Sequence, residues 1–293
     1  MSWHERSVCI GPVAFRLRTP FARVMRAVDD LYRDYPEMAA GDIPDYCVSA
    51  IPDGLVRRWI RPKFRLVCDF EPFESLPLPR RLGLLGLEMG MNLQMAAGYR
   101  RQVVVHAAAA AREAGAVLMI GDSGAGKSTL SATLAFAGGW RHLGDEFALL
   151  DLDKPLLTPF PRPISLKNAA IDAMRAIAPD ERFGPLLDGT VKGTIRHLLP
   201  PRASIDAMRQ PAPLKLVIAP RFEPGAAPQW RPMTRTETYV RLAGSSTNQA
   251  MLGEAGFEAV GHALAAAPAF DIVYGNSADA LELVENLWRT VAP

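Results

Sequence analysis

The chain is poor in cysteine. Its 293 residues hold three, Cys9, Cys47 and Cys68, far apart and without a C-x-x-C pair. That pattern excludes a disulfide scaffold and offers no zinc or redox motif; three unpaired thiols suit a reducing compartment. No apolar run of membrane-spanning length occurs, because the most apolar stretch is broken by Arg112 and Glu113. The first residues, MSWHERSVCIGPVAFRLR, lack the continuous apolar segment of a secretory signal. These absences lead to the expectation of a soluble, cytoplasmic protein with no membrane partner. Net charge is also nearly absent: 33 basic against 31 acidic side chains give +2. Neither part is biased, with 14 basic and 12 acidic residues in 1–100 and 19 of each in 101–293. Such totals give no support for the concentrated basic face that duplex nucleic acid requires. Internal repeats and low-complexity tracts are missing as well.

What is present is ordinary in bulk, at 49% apolar and 22% charged, but rich in proline. The 25 prolines exclude a long helical bundle, since each interior proline costs a helix about 3 kcal/mol. Nine lie at 12–79 and fourteen at 155–232, whereas 80–154 has none. The proline-free window reads as a rigid, hydrogen-bonded core and the dense one as loop-built.

Periodicity predicts a strand over 7–18, a helix over 20–34, and strands near 45–51, 55–61 and 64–70. Turns fall at Pro52-Asp53-Gly54 and Glu71-Pro72. Residues 80–98 predict a buried helix with Met89, Met91 and Met95 as core filler. The runs 102–111 and 116–120 read as a hairpin. A helix over 127–137, ended by Gly138-Gly139, precedes short strands at 140–143 and 147–151. Further on come a helix at 165–177, a strand at 214–219, and the series helix 254–267, strand 270–274, helix 278–291.

The informative motif is Gly121-Asp122-Ser123-Gly124-Ala125-Gly126-Lys127-Ser128, which matches G-x-x-x-x-G-K-[ST]. Successive backbone N–H groups of such a loop converge on phosphate oxygens, and the following helix presents its positive end to them. Lys127 would reach the β- and γ-phosphates of ATP, and the Ser128 hydroxyl would ligate Mg²⁺, with Thr129 beside it. The preceding Ala116–Ile120 reads as a strand and the following Leu130 and Leu134 as one helix face, which is the context the motif needs.

Asp145 and Glu146 follow Lys127 by only 18 and 19 residues, room for one helix and one return strand. With His106 in Val105-His106-Ala107, the loop GDSGAGKS and the acidic pair of Gly144-Asp145-Glu146, the sequence resembles the HPr kinase family. These are bacterial serine kinases that share a catalytic fold with ATP-dependent phosphoenolpyruvate carboxykinases. The resemblance looks closer still to HPr-kinase-related kinases that occur with peptide-modification systems, through LYRDYP, WIRP, PRPISLKN and KGTIRHLLPP. It implies an α/β fold with a P-loop kinase core over 101–293; the remaining residues, 1–100, are expected to form a small α+β module that helps to recognise the substrate. It also implies an ATP- and Mg²⁺-dependent kinase acting on a Ser or Thr hydroxyl of a protein or peptide. The pair here ends on Glu146 where that family usually has a second aspartate. The family's R-G-x-G signature has only Lys192-Gly193-Thr194-Ile195-Arg196 as a counterpart. HPr as acceptor and the reverse phosphorylase reaction are therefore left open, as is a homo-oligomeric state.

Phosphoryl transfer is mostly positioning and charge neutralisation. Asp145 is expected on magnesium, Glu146 as the base that takes the acceptor proton, and His106 hydrogen-bonded nearby. Both acids can face one site only if Gly144 bends the strand. Arg196 is a candidate for neutralising the transferring group; Lys167, Asn168, Lys192 and His197 are weaker candidates. In 57–65, Arg57, Trp59, Arg61, Lys63 and Arg65 share one face of an expected edge strand. That face suits solvent, an acidic peptide or a single-stranded nucleic acid. Two other readings remain: a small-molecule kinase on the same core, which would label metabolites and not peptides, and an ATP-binding accessory module, which would give no labelled product.

Overall fold

The computed structural model describes residues 2–54, 60–70 and 76–291. The start of the strand expected at 55–61, with Arg57 and Trp59, and the turn at Glu71-Pro72 lie outside the described residues.

The first sheet is built by β1 (His4–Ile10), β2 (Val13–Thr19), β3 (Tyr46–Pro52), β4 (Lys63–Cys68) and β5 (Leu78–Pro79), in that order. The strand expected over 7–18 is therefore a hairpin. Gly11 turns it at φ +53°, and a Cβ there would overlap the Pro159 carbonyl. Val8, Ile10, Val13, Phe15 and Leu17 point inward by strand alternation. The helix α1 (Ala22–Leu31) crosses from β2 to the parallel β3 and buries Val24, Met25, Val28 and Leu31. The helix α2 (Gly83–Gly98) packs on β3 and β4, and Gly86 and Gly90 let it approach Phe64 and Val48 closely. Met91 and Met95 are buried as expected, but Met89 is half exposed, because it falls on the face turned away from the sheet. β4 is not an edge strand; β5 flanks it.

The second, nine-stranded sheet opens with β6 (Val103–Val105), β7 (Ala108–Arg112) and β8 (Gly115–Met119). The expected run 102–111 is thus two strands with different partners, broken at His106-Ala107: β6 pairs with a later strand, β7 with β8. Next come α3 (Lys127–Phe136), β9 (Arg141–Gly144), β10 (Ala148–Leu150) and β11 (Leu156–Thr158). The sheet is completed by β15 (Ala212–Phe222), β16 (Gln229–Pro232) and β17 (Ala269–Tyr274). Its order is β6-β10-β11-β15-β8-β7-β9, with β17 on β15 and β16 on β17, and β8, β15 and β17 run parallel. Alternation splits the sheet's side chains between two helix layers. Val117, Met119, Leu216 and Ile218 meet α3 and α8 (Ser277–Val291). Leu118, Leu214 and Val217 meet α6 (Arg235–Ser245) and α7 (Gly253–Ala266).

Between β11 and β15 the proline-rich stretch is not loop-built. It forms β12 (Ile164–Lys167), α4 (Ala169–Arg175), β13 (Phe183–Thr190), β14 (Gly193–Leu198) and α5 (Arg202–Asp206). The strands make a third sheet in the order β12-β14-β13. Many of the prolines stand in the connections, as at Pro159, Pro161 and Pro163, or in an edge strand, as Pro185 does in β13; neither place requires a donated N–H. The helix expected over 165–177 is shortened to α4 by Asn168, whose backbone (φ +51°, ψ −124°) cannot continue either element.

The molecule is a mixed α/β protein. The chain position 100 falls between α2 and β6. The core beneath the first sheet is not confined to its own residues, since it takes in Val104, Phe147, Leu149, Phe160, Leu199 and Ile205.

Candidate active site

β8 runs into the loop 121–126 and the loop into α3. Three glycines carry positive φ: Gly121 at +138°, Gly124 at +91° and Gly126 at +98°. At Gly126 a Cβ would also press on Phe222 and on the Tyr274 hydroxyl, so the residue must be glycine for two reasons. The first-turn amides of α3 lack intrahelical partners and face the space ahead of the helix.

A cavity of about 590 Å³ opens there. Ser123, Gly124, Gly126, Lys127, Ser128 and Thr129 line one wall. His106, Asp145, Glu146 and Ser165–Asn168 line the next, Lys192 reaches it from the β13–β14 turn, and Phe222 with Tyr274–Ser277 closes the other end. Gly121, Asp122 and Ala125 do not face this cavity. They line an open groove of about 900 Å³ on the other side of the loop, with Arg221, Trp230 and Arg241.

Lys127 is buried, and its ammonium donates to the carbonyls of Gly121 (2.5 Å) and Asp122 (3.0 Å), which leaves one N–H uncommitted. Burial lowers its pKa, and Asp145 and Glu146 oppose that shift.

Asp145 stands just beyond β9, where Gly144 lets the chain pass against the Phe147 carbonyl. It is 3% exposed. Its Oδ2 accepts the Ser165 N–H at 3.2 Å, while Oδ1 has no partner. Burial, and next the charge of Glu146, raise its carboxyl to about 7; the Ser128 hydroxyl, the Ser165 amide and Lys167 act in the opposite sense. Glu146 is partly open, with Oε2 3.7 Å from His106 Nδ1, too long for a hydrogen bond and an ionic contact only when His106 is protonated. Burial lowers the His106 pKa, against the pull of Glu146. His106 sits at the break between β6 and β7, its N–H donating to the Ser245 carbonyl at 2.8 Å.

A buried carboxylate oxygen without a donor, beside a serine hydroxyl, is what a cation site needs from a protein. Among the described residues no group of three or more His, Cys, Asp or Glu side chains gathers to hold a metal. The oxygens of Ser128 and Asp145 fit a hard cation such as Mg²⁺, of which they would supply two ligands.

Arg196 is not brought to the site. Its neighbours Ile195 and His197 are buried on one face of β14, and alternation turns Arg196 to the other. There it donates to the Gly184 carbonyl at 2.9 Å and lies over the Phe183 ring. His197 is buried away from the cavity, and burial lowers its pKa. Lys167 and Lys192 supply the cavity's other cations. Asn168 holds the second of these in place. Its Oδ1 accepts the Thr194 N–H (3.1 Å) and its amide donates to the Lys192 carbonyl (3.3 Å). Ser165, Phe222 and the Tyr274–Ser277 turn went unrecognised in the sequence. The turn follows the carboxyl end of a parallel strand, where open α/β sheets bind ligands, and that position was the available signal.

No family model and no curated protein matches the chain. Among solved structures, it is similar to the HPr(Ser) kinase/phosphatase from Coxiella burnetii, at 15% identity and a TM-score of 0.30. The alignment covers 64% of this chain and 94% of that one. No described helix is long and apolar enough to cross a membrane.

Proposed function

We propose that the protein is an ATP- and Mg²⁺-dependent kinase that phosphorylates a Ser or Thr hydroxyl of a protein or peptide. The observation that carries this reading is the donorless Oδ1 of buried Asp145, in one cavity with Ser128, Lys127, Glu146 and His106. A structural carboxylate would have its oxygens satisfied; one held ready for a cation would not.

In this reading the loop amides and the free N–H of Lys127 bind the β- and γ-phosphates, with Ser123, Ser128 and Thr129 around them. Ser128 and Asp145 would hold Mg²⁺, whose chemistry there would be to neutralise phosphate charge. Glu146, the more open acid, accepts the proton of the acceptor hydroxyl as its oxygen bonds to the γ-phosphorus and the bond to the ADP oxygen breaks. His106 orients Glu146. Lys192 and Lys167 take the place expected for Arg196. The module over 1–100 contributes to substrate recognition, and the core over 101–293 carries the chemistry.

Single-turnover transfer from γ-labelled ATP to candidate peptides tests the reading. Glu146→Gln should lower the rate by about 10² to 10⁴ with nucleotide binding retained. Lys127→Ala should abolish tight ATP binding. ATP binding without any labelled product would replace the kinase by an accessory module; label on metabolites alone would replace the peptide acceptor.

A further inference from the structure

A third concavity, of about 570 Å³, shares no residue with the cavity or the open groove above. Five cations line it, Arg23, Arg61, Lys63, Arg80 and Arg81, and among the described residues no Asp or Glu does. In a chain of net charge +2, that is a strong local excess. Two of the five are partly engaged, Arg81 by the Asp188 carbonyl and Arg80 by the Phe21 ring. Arg23, Arg61 and Lys63 have no carboxylate within ion-pair distance among the described residues.

The lining between the charges is aliphatic: Val24, Leu84 and Leu187 are buried, and Pro62, Pro79 and the half-exposed Leu186 frame the opening. No aromatic ring lines it among the described residues. Single-stranded nucleic acid is gripped by stacking on such rings. A groove of cations and aliphatic side chains instead suits carboxylates interspersed with Leu, Val or Pro.

Its two sides are sheet edges. β5 ends the first sheet and β13 ends the third. Edge strands offer backbone donors and acceptors to an extended chain. β13 also leads to the active cavity. From Leu187 in the groove to Lys192 at the cavity is five residues of strand and turn, at most about 17 Å.

From this we infer that the groove between β5 and β13 docks an acidic, aliphatic, extended segment of the phosphate acceptor, with the acceptor hydroxyl some five or six residues away. This rests on the kinase reading for the word acceptor; the docking itself does not.

The test pans a phage-displayed random 12-residue library on the full chain and on the Arg23→Gln/Lys63→Gln double variant. Both substitutions are at the surface, outside the nucleotide cavity. Wild type should enrich sequences in which Asp or Glu alternate with Leu, Val or Pro. A synthetic peptide from that set should bind the double variant at least tenfold more weakly, at equal thermal stability and equal ATP binding. No acidic enrichment, equal binding by the variant, or displacement of the peptide by a single-stranded oligonucleotide at lower concentration would overturn the inference. Peptide capture without transfer from ATP would overturn the kinase reading and leave the groove standing. Transfer to peptides with binding unchanged in the variant would do the reverse.

Discussion

The guanidinium of Arg162 and the carboxylate of Glu88 form an ion pair inside the protein, with side chains 4% and 6% exposed. The Tyr32 hydroxyl donates to the second Glu88 oxygen at 2.6 Å, Arg162 also reaches Asn92, and the Tyr35 hydroxyl donates to the Pro161 carbonyl. The network joins α1 and α2 to the segment entering β12, and β12 brings Ser165 to Asp145.

Removing one partner of such a pair strands the other charge in an apolar core. Glu88→Gln should therefore destabilise the protein by about 3–5 kcal/mol, read as a lower urea midpoint at unchanged slope. Replacing both by aliphatic residues of similar volume should recover much of that loss. A Glu88→Gln variant as stable as wild type would show that the network contributes nothing.

Asp145 gives a pH signature. Its carboxyl ionises near 7 in the folded protein against an ordinary 3.8. The folded state therefore holds the extra proton between those values, and stability falls as pH rises from about 4 to about 7. Asn does not ionise. Without Mg²⁺ and nucleotide, Asp145→Asn should match wild type near pH 4 and exceed it at pH 8 by up to about 4 kcal/mol. Equal stability across that range, by thermal unfolding, would contradict it.

Lys192 and Arg196 are four residues apart on one hairpin, yet only Lys192 lines the cavity. Lys192→Ala should lower phosphotransfer at least tenfold, while Arg196→Ala should leave it within about twofold. Steady-state rates on one peptide acceptor decide between them. Equal losses would mean that the hairpin acts as a unit.

Asn168→Gly separates positioning from stability. Glycine relaxes a backbone conformation that costs an asparagine about 1–3 kcal/mol, but it removes both bonds to the Lys192 turn. The melting temperature should change little, while the turnover number falls more than substrate affinity. An unaltered turnover number would show that the turn holds its place without Asn168.

The glycine-loop side of the site was legible because each part is a local pattern. The glycines, Lys127 and Ser128 are contiguous, and one helix and one strand return the chain to Asp145. The opposite side was not, because its geometry is set by pairing. Val103–Ala111 is apolar on both sides of His106, so its pattern does not distinguish two strands with different partners. Arg196 is turned from the cavity by the register of β14, which alternation alone cannot anchor, whereas Lys192 lies in the turn before that strand. Glu88 looks like a lone acid on a greasy helix until Arg162, 74 residues later, is seen beside it.

The shared core also fixes an order of events during synthesis. Phe15 packs near Phe160, Glu88 waits for Arg162, and Ile205 is the last residue to join the interior beneath the first sheet. At about 5–20 residues per second, roughly 5–20 s separate the emergence of residue 100 from that of residue 205. Over that interval the apolar faces of the first hundred residues lack the part of their cover that the later residues supply.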